Sequence, residues 1–239
     1  MKKIVIEFKD VSFSYNSSFN LNDASFSVSS GEYTFFIGPN GAGKTTLFRL
    51  MTGLVKPDNG SIFIDELDIK ELKENDLAKR IAIVSQETNY TFPFTVEEVV
   101  LMGRFTHSGD AFFDSVSDLE KVHEVLNMTH VFHLKNRSIT TLSGGEKRRV
   151  EIARALAQEA NILLLDEPTV FLDLKQQRDL FVLLDKLHKQ KQITICVVSH
   201  NMQYVKDYAE RLFFVKSGSI EELNKKTITQ NPEQLVEMF

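Results

Sequence analysis

The run Gly38-Pro39-Asn40-Gly41-Ala42-Gly43-Lys44-Thr45-Thr46 has the spacing G-x-x-x-x-G-K-T. Residues of these types at these intervals suit one kind of chemistry. Glycines let the main chain wrap closely around a phosphate and turn its N–H groups inward. Lys44 has the reach to touch β- and γ-phosphates, and the Thr45 hydroxyl is a Mg²⁺ ligand of the right kind. A helix starting here would aim its positive end at the same anion. The flanks agree: Tyr33-Thr34-Phe35-Phe36-Ile37 is an apolar β-type run, and Thr46-Leu47-Phe48-Arg49-Leu50-Met51 reads as helix. A plain Gly-rich turn is the competing reading, and these flanks count against it.

Two further groups could do chemistry. Ile162-Leu163-Leu164-Leu165 is a buried-strand pattern ending in Asp166-Glu167. Strand alternation sends adjacent side chains to different faces, so the two carboxylates should have different tasks. The carboxyl end of a parallel strand is where a ligand crevice opens. Asp166 is suited to hold Mg²⁺ through its water shell, and Glu167 to orient or deprotonate an attacking water. Upstream, Leu142-Ser143-Gly144-Gly145-Glu146 opens a helix through Leu156. A hydroxyl, exposed N–H groups and a helix dipole make a second anion site there, unless it is only an N-capped helix. If that site cannot reach its own P-loop, it would close on a partner's nucleotide.

These residues need a frame. The 239 residues suffice for one large domain, or a core with an inserted subdomain, without disulfides. Residues 4–30 hold short alternating runs, such as Val11–Tyr15 and Ala24–Val28, that read as antiparallel strands. Lys56-Pro57-Asp58-Asn59-Gly60 is a turn before the strand Ser61–Ile64, and Ile81–Ser85 is a buried strand. From about Val96 to Leu156 the apolar steps become helical. Thereafter Ile162–Leu165, Leu174–Leu187, Ile193–Val198, Tyr204–Glu210 and Arg211–Val215 alternate strand and helix, which predicts a parallel sheet with crossover helices.

Composition narrows the setting. The net charge of −5 argues against nucleic acid as the main partner. The single cysteine, Cys196, lies in an apolar run and suits a reducing compartment as a core thiol. No apolar run approaches the roughly 20 residues of a membrane span. Met1–Ile6 begins like a signal peptide, but Glu7, Lys9 and Asp10 interrupt it, so it reads as a strand. A cytosolic protein is expected, one able to dock on a membrane protein. Lys147-Arg148-Arg149 reads as a solvated helix face, with a nucleic-acid patch as the alternative.

Together the motifs resemble the ATP-binding cassette (ABC) ATPases over residues 4–239. GPNGAGKTT is similar to the Walker A motif, LSGGE to the signature motif and ILLLDE to the Walker B motif. The resemblance implies an α/β P-loop fold with a RecA-like mixed sheet, an antiparallel β subdomain and an inserted helical subdomain. Residues 1–88 and 158–239 would form the core and about 89–157 the helical part. It implies ATP and Mg²⁺ as cofactors, with Thr45, Gln86 and Asp166 around the metal. It also gives roles to single residues. Tyr15 resembles the aromatic that stacks on adenine, and Gln86 the glutamine that contacts Mg²⁺ and the attacking water. Asp173 resembles the D-loop aspartate at a dimer seam, and His200 the switch histidine at the γ-phosphate. Val170-Phe171 and Asn201 depart from the usual pattern.

The stretch Phe94–Arg104, followed by His107, resembles that of type II importers, which carry iron–siderophore complexes, haem or cobalamin. Zinc/manganese importers are the neighbouring alternative, and a soluble, non-transport ABC ATPase the competing class. His107, His123, His130 and His133 lack the spacing of a ligand set and read as surface or packing residues. The implied assembly is a homodimer of ATPase subunits on separate membrane permease subunits, peripheral on the cytoplasmic face of the cell (inner) membrane. A periplasmic or extracellular substrate-binding protein would act indirectly. The permease contact is expected at Thr91-Phe92-Pro93-Phe94 and the Val96–Arg104 helix, so that Phe92→Ala or a charge reversal at Arg104 would uncouple transport; core packing of the two aromatics is the alternative. The tail Leu235–Phe239 leaves no expectation of a regulatory domain.

Overall fold

A computed structural model describes residues 2–15, 19–86, 88–107 and 116–224, Phe19 by its backbone alone. The tail Leu235–Phe239 lies outside the described residues. The chain opens with two long antiparallel strands, β1 (Ile4–Tyr15) and β2 (Phe19–Ser29). With β4 (Asn59–Ile64) and the short β5 (Leu67–Asp68) they form one sheet in the order β2-β1-β4-β5. A second sheet contains β3 (Tyr33–Ile37), β6 (Ile81–Val84), β7 (Ile162–Asp166), β8 (Thr194–Val198), β9 (Arg211–Lys216) and β10 (Ser219–Leu223). Its order is β10-β9-β3-β8-β7-β6, parallel except for the β9–β10 hairpin. The residues of β10 follow the turn Lys216-Ser217-Gly218; their alternation was too polar to mark a strand.

Parallel strands are covered on both faces and therefore read as continuous apolar runs. Alternation still divides their side chains. Phe36, Leu164 and Cys196 face α1 (Lys44–Met51) and the antiparallel sheet. Phe35, Leu163 and Val197 face the opposite layer. That layer holds α6 (Leu174–Lys191) and α7 (Met202–Tyr208). Phe26 of β2 bridges the sheets, its ring 5.7 Å from Phe36 and 5.2 Å from Phe213.

Between α2 (Glu74–Ala78) with β6 and the strand β7 lies a helical unit with its own core: α3 (Val96–Leu101), α4 (Val116–Met128) and α5 (Gly144–Ala157). Val99, Val125, Leu126 and Val150 meet there, fully buried. Gln158 pins this unit to the sheet, donating from Nε2 to the carbonyls of Ile81, at 2.8 Å, and Ala78. Thr95, Ser143 and Asp173 each cap a helix in a reciprocal capping box, with Glu98, Glu146 and Gln176. Such a cap contributes about 1 kcal/mol and fixes where the helix begins.

Two basic residues depart from expectation. Arg104 is not a surface contact. It is buried in the turn after α3, with Nε on Asp118 at 2.8 Å and Nη1 on Glu159 at 2.6 Å and on the Ala157 carbonyl at 2.7 Å. Arg148 is likewise buried, not part of a solvated face. Histidines of the helical unit pack as polar struts: His123 Nε2 is 2.6 Å from Glu97, and His107 Nε2 lies 2.9 Å from the Gln158 carbonyl. A charge reversal at Arg104 should therefore destabilise the fold rather than uncouple. Arg104→Glu is expected to cost about 2–3 kcal/mol, because it leaves two carboxylates facing a third. Urea unfolding reads this directly, and an unchanged midpoint would contradict the burial.

Candidate functional site

Four neighbouring parallel strands end on one rim. In spatial order β3, β8, β7 and β6 deliver the Gly38–Thr46 loop, His200, Asp166-Glu167 and Gln86. The carboxyl ends of such strands are where crevices open. A cavity of about 500 Å³ lies there, lined by Tyr15, Lys44, Thr45, Gln86, Glu167 and His200 among others.

The loop is shaped for close backbone approach. Gly38 sits at φ 149°, and a Cβ there would come within 2.0 Å of the Val215 carbonyl oxygen. Gly43, at φ 100°, is the N-cap of α1 and turns the chain into the helix. Both are conformations that side chains disfavour. Lys44 Nζ donates to the carbonyls of Gly38 and Pro39, both at 2.8 Å. Burial pulls its pKa down, while Glu167 and Asp166 oppose that shift. Tyr15 ends β1 on the cavity wall, edge-on to Phe13, its hydroxyl accepting from Arg49 at 3.4 Å.

The two carboxylates have separate surroundings. Asp166 lies beneath Thr45, whose hydroxyl it accepts; burial raises its pKa. Its Oδ1 is buried with no hydrogen-bond partner. An orphaned carboxylate oxygen costs free energy unless a cation completes it. The hard oxygens of Thr45, Gln86 and Asp166 fit Mg²⁺ by chemistry. Glu167 lies at the cavity edge with its main chain at φ 45°, a strained left-handed conformation. Burial pushes its pKa up to about 7, Lys44 opposing and Asp166 adding to the rise. His200 Nε2 is 2.7 Å from Glu167 Oε1, close but off the line of a hydrogen bond. Burial, and then Lys44, lower the His200 pKa, while a bond to the Gly38 carbonyl opposes them.

The remaining expected residues stand elsewhere. Ser143 caps α5, giving its hydroxyl to Glu146 at 2.8 Å, and neither it nor Gly144 nor Gly145 lines the Lys44 cavity. Gly144 lines a separate cleft of about 380 Å³ with Lys147, Arg148, Val170 and Phe171. Gln86 lines both spaces. Asp173 caps α6 by accepting from the Gln176 N–H at 2.8 Å. Phe171, at φ 63°, and Leu174 flank it at 78% and 79% exposure. Sequence reasoning missed Arg148, whose guanidinium touches the main chain beside Gln86 and at Glu167.

A phosphate-wrapping loop, a buried lysine and paired carboxylates on a parallel sheet define a P-loop nucleoside triphosphatase. Residues 21–170 match the family model described as ABC transporter. The petrobactin import ATP-binding protein FpuC of Bacillus anthracis is 35% identical over 91% of this chain and 80% of its own length. The ferric enterobactin transport ATP-binding protein FepC of Escherichia coli is 37% identical over 81% of this chain and 71% of its own. A solved ATP-binding cassette, dimeric in a post-hydrolysis state with ADP and Pi, superposes with a TM-score of 0.78 at 29% identity, covering 92% of this chain and 99% of that one. The chain belongs to the ABC transporter family and is an ATP-binding cassette ATPase.

The Glu167 environment has a pH signature of known sign. A carboxylate whose folded pKa is about 7 against an ordinary 4.5 destabilises the folded state as pH rises through that window. Glu167→Gln should therefore raise the melting temperature of the nucleotide-free protein at about pH 8, with the gain vanishing below the ordinary value. If Glu167 acts as base, kcat/KM of the wild type should climb with an apparent pKa near 7. A flat profile and an unchanged melting temperature would refute the assignment.

Proposed function

We propose that this chain is the ATP-hydrolysing subunit of an importer, working as a homodimer on separate permease subunits for an iron–siderophore complex or cobalamin. The observation that carries the dimer is the division of the phosphate-binding groups. The Gly38–Thr46 loop lines one cavity, while Gly144 of the signature lies on a different cleft. A nucleotide at Lys44 would then be completed by Ser143-Gly144-Gly145 of a second copy. The exposed Phe171 and Leu174 beside Asp173 support a protein-covered surface there. The import names of the petrobactin and ferric enterobactin relatives support the direction and substrate class, as does a cobalamin import relative of Halobacterium salinarum, 36% identical over 92% of this chain and 54% of its own length.

In the proposed mechanism the Gly38–Thr46 N–H groups and Lys44 bind the ATP phosphates, and Tyr15 stacks on adenine. Thr45, Gln86 and Asp166 would hold Mg²⁺, which supplies charge neutralisation at the phosphates. Glu167 takes a proton from the attacking water, and His200 and Gln86 orient the γ-phosphate and the water. Trans-complementation tests the shared site. Lys44→Ala and Ser143→Arg should each be nearly inactive. Mixed, they should recover activity, since one composite site then carries both lesions and the other neither. Proven heterodimers without recovered ATPase would sink the proposal.

Docking on a permease is read from a second feature. Among the described residues no helix is long and apolar enough to cross a membrane. A cleft of about 510 Å³ separates the sheet from the helical unit, walled by Leu54, Leu77, Ile83, Met102 and Phe105. Leu54 projects there at 71% exposure. A permease helix in this cleft would link the cassette to the cytoplasmic face of the membrane. It would lie past the C-terminal end of α3, whereas Phe92, 65% exposed and edge-on to Phe94, stands outside it. Leu54→Asp should leave basal ATPase within about twofold and lower uptake in reconstituted vesicles about tenfold, the cost of one central contact. Undiminished uptake would move the contact elsewhere, and loss in Phe92→Ala alone would move it to the Phe92 pair.

A further inference from the structure

The signature helix buries an ion pair, Arg148 with Glu151, whose arginine has no place in the family roles assigned so far. Arg148 lies on the second turn of α5, and its guanidinium reaches three segments at once. Nη1 donates to the Ser85 carbonyl at 2.7 Å and to Glu151 Oε2 at 2.9 Å. Nε donates to the Pro168 carbonyl at 3.1 Å, and Nη2 to the Glu167 carbonyl at 3.1 Å. Glu151, one turn further along α5, balances the charge. The other three acceptors are main-chain oxygens at the ends of β6 and β7. One immediately precedes Gln86, and another belongs to Glu167 itself.

These acceptors sit where the backbone most needs holding. Glu167 is at φ 45°, strained for a side chain with a Cβ. Such a conformation persists only where surrounding bonds over-determine it. The Glu167 carbonyl takes the Val170 N–H at 3.2 Å as well as Arg148. Gln86 is exposed, so its placement depends on the carbonyl just before it. A planar fork of five donors can serve carbonyls on two strands together, whereas an ammonium group is a point donor.

We propose that Arg148 is a positioning residue for ATP hydrolysis, clamping the main chain at Ser85 and at Glu167-Pro168 onto the signature helix. Gln86 and Glu167 then take their places relative to each other only while α5 is seated. This rests on the roles proposed above for Glu167 and Gln86. The clamp acts on turnover and not on nucleotide capture, because no acceptor of Arg148 belongs to the Gly38–Thr46 loop.

The test compares Arg148→Gln, Arg148→Lys and Glu167→Gln in the full chain. Binding of a fluorescent ATP analogue, its stoichiometry per chain, kcat and KM are measured for each. Arg148→Gln should lower kcat about tenfold to a hundredfold, the scale of an ångström's misplacement. Affinity and KM should stay within about threefold, with binding stoichiometry unchanged. Arg148→Lys, which keeps charge and size, should fall between and provides the reading if the glutamine variant does not fold. Millimolar methylguanidinium should restore turnover to Arg148→Ala but not to Lys44→Ala. If Glu167→Gln is inactive while both Arg148 variants keep kcat within about twofold, the positioning role is wrong on its own. If Glu167→Gln turns over at the wild-type rate, the catalytic assignment falls and the clamp with it. A drop in kcat matched by an equal drop in binding stoichiometry would reduce Arg148 to a folding residue and overturn the proposal.

Discussion

The floor of the nucleotide cavity buries two carboxylates against one ammonium group, and the rest of the structure answers that imbalance. Asp166 and Glu167 are both driven toward their neutral forms by burial, and Lys44 is driven the same way. Removing charges from water costs several kcal/mol per ion even after relaxation. The loop carbonyls of Gly38 and Pro39 hold Lys44, and the Thr45 hydroxyl holds Asp166, but Asp166 Oδ1 stays bare. An anionic triphosphate brought here adds negative charge to an already acidic floor. A divalent cation held by Thr45, Gln86 and Asp166, as proposed, would offset that charge, and the dipole of α1 favours the phosphates.

Holding that floor together requires four strands to end in register. In β7 and β8, Leu165 pairs with Val197 and Asp166 with Val198, so Glu167 and His200 emerge side by side. In β6 and β7, Val84 pairs with Leu165, which places the Ser85 carbonyl near the Glu167 turn. A slip of one residue would turn Asp166 from the α1 face to the opposite layer. Such a slip is opposed because it would carry the Asp166 carboxylate toward the apolar core of Leu163, Leu165 and Val197.

How much of this could be read from the chain follows from which interactions are local. The Gly38–Thr46 loop, the β7 strand with its two acids and the capped start of α5 are written in contiguous residues, and they stand where their spacing implied. The helical register of α3 to α5 was legible for the same reason. Arg148 and Arg104 were not, because helix charge patterns show only that a residue is polar. Whether such a residue meets water or three carbonyls depends on segments far along the chain: Arg148 meets Ser85, and Arg104 meets Glu159. Polar β10 escaped notice for a related reason. It is an edge strand, fixed by pairing to β9, with little apolar alternation of its own.

The same geography explains why one copy of the chain looks unfinished. Arg148 lies between two ends of a single lever. On one side its acceptors belong to the strands that carry Gln86 and Glu167. On the other, α5 begins at Ser143, whose hydroxyl and N–H are both occupied by Glu146 at 2.8 Å. Any anion drawing on Ser143 from a second copy must compete with Glu146 for that hydroxyl, and a rearranged cap would be felt first at the start of α5. Arg148 sits one turn and a half further along that helix. In the proposed dimer, closure on a nucleotide at Ser143 would then register at the main-chain carbonyls of Ser85 and Glu167, through α5 and the buried Arg148 guanidinium.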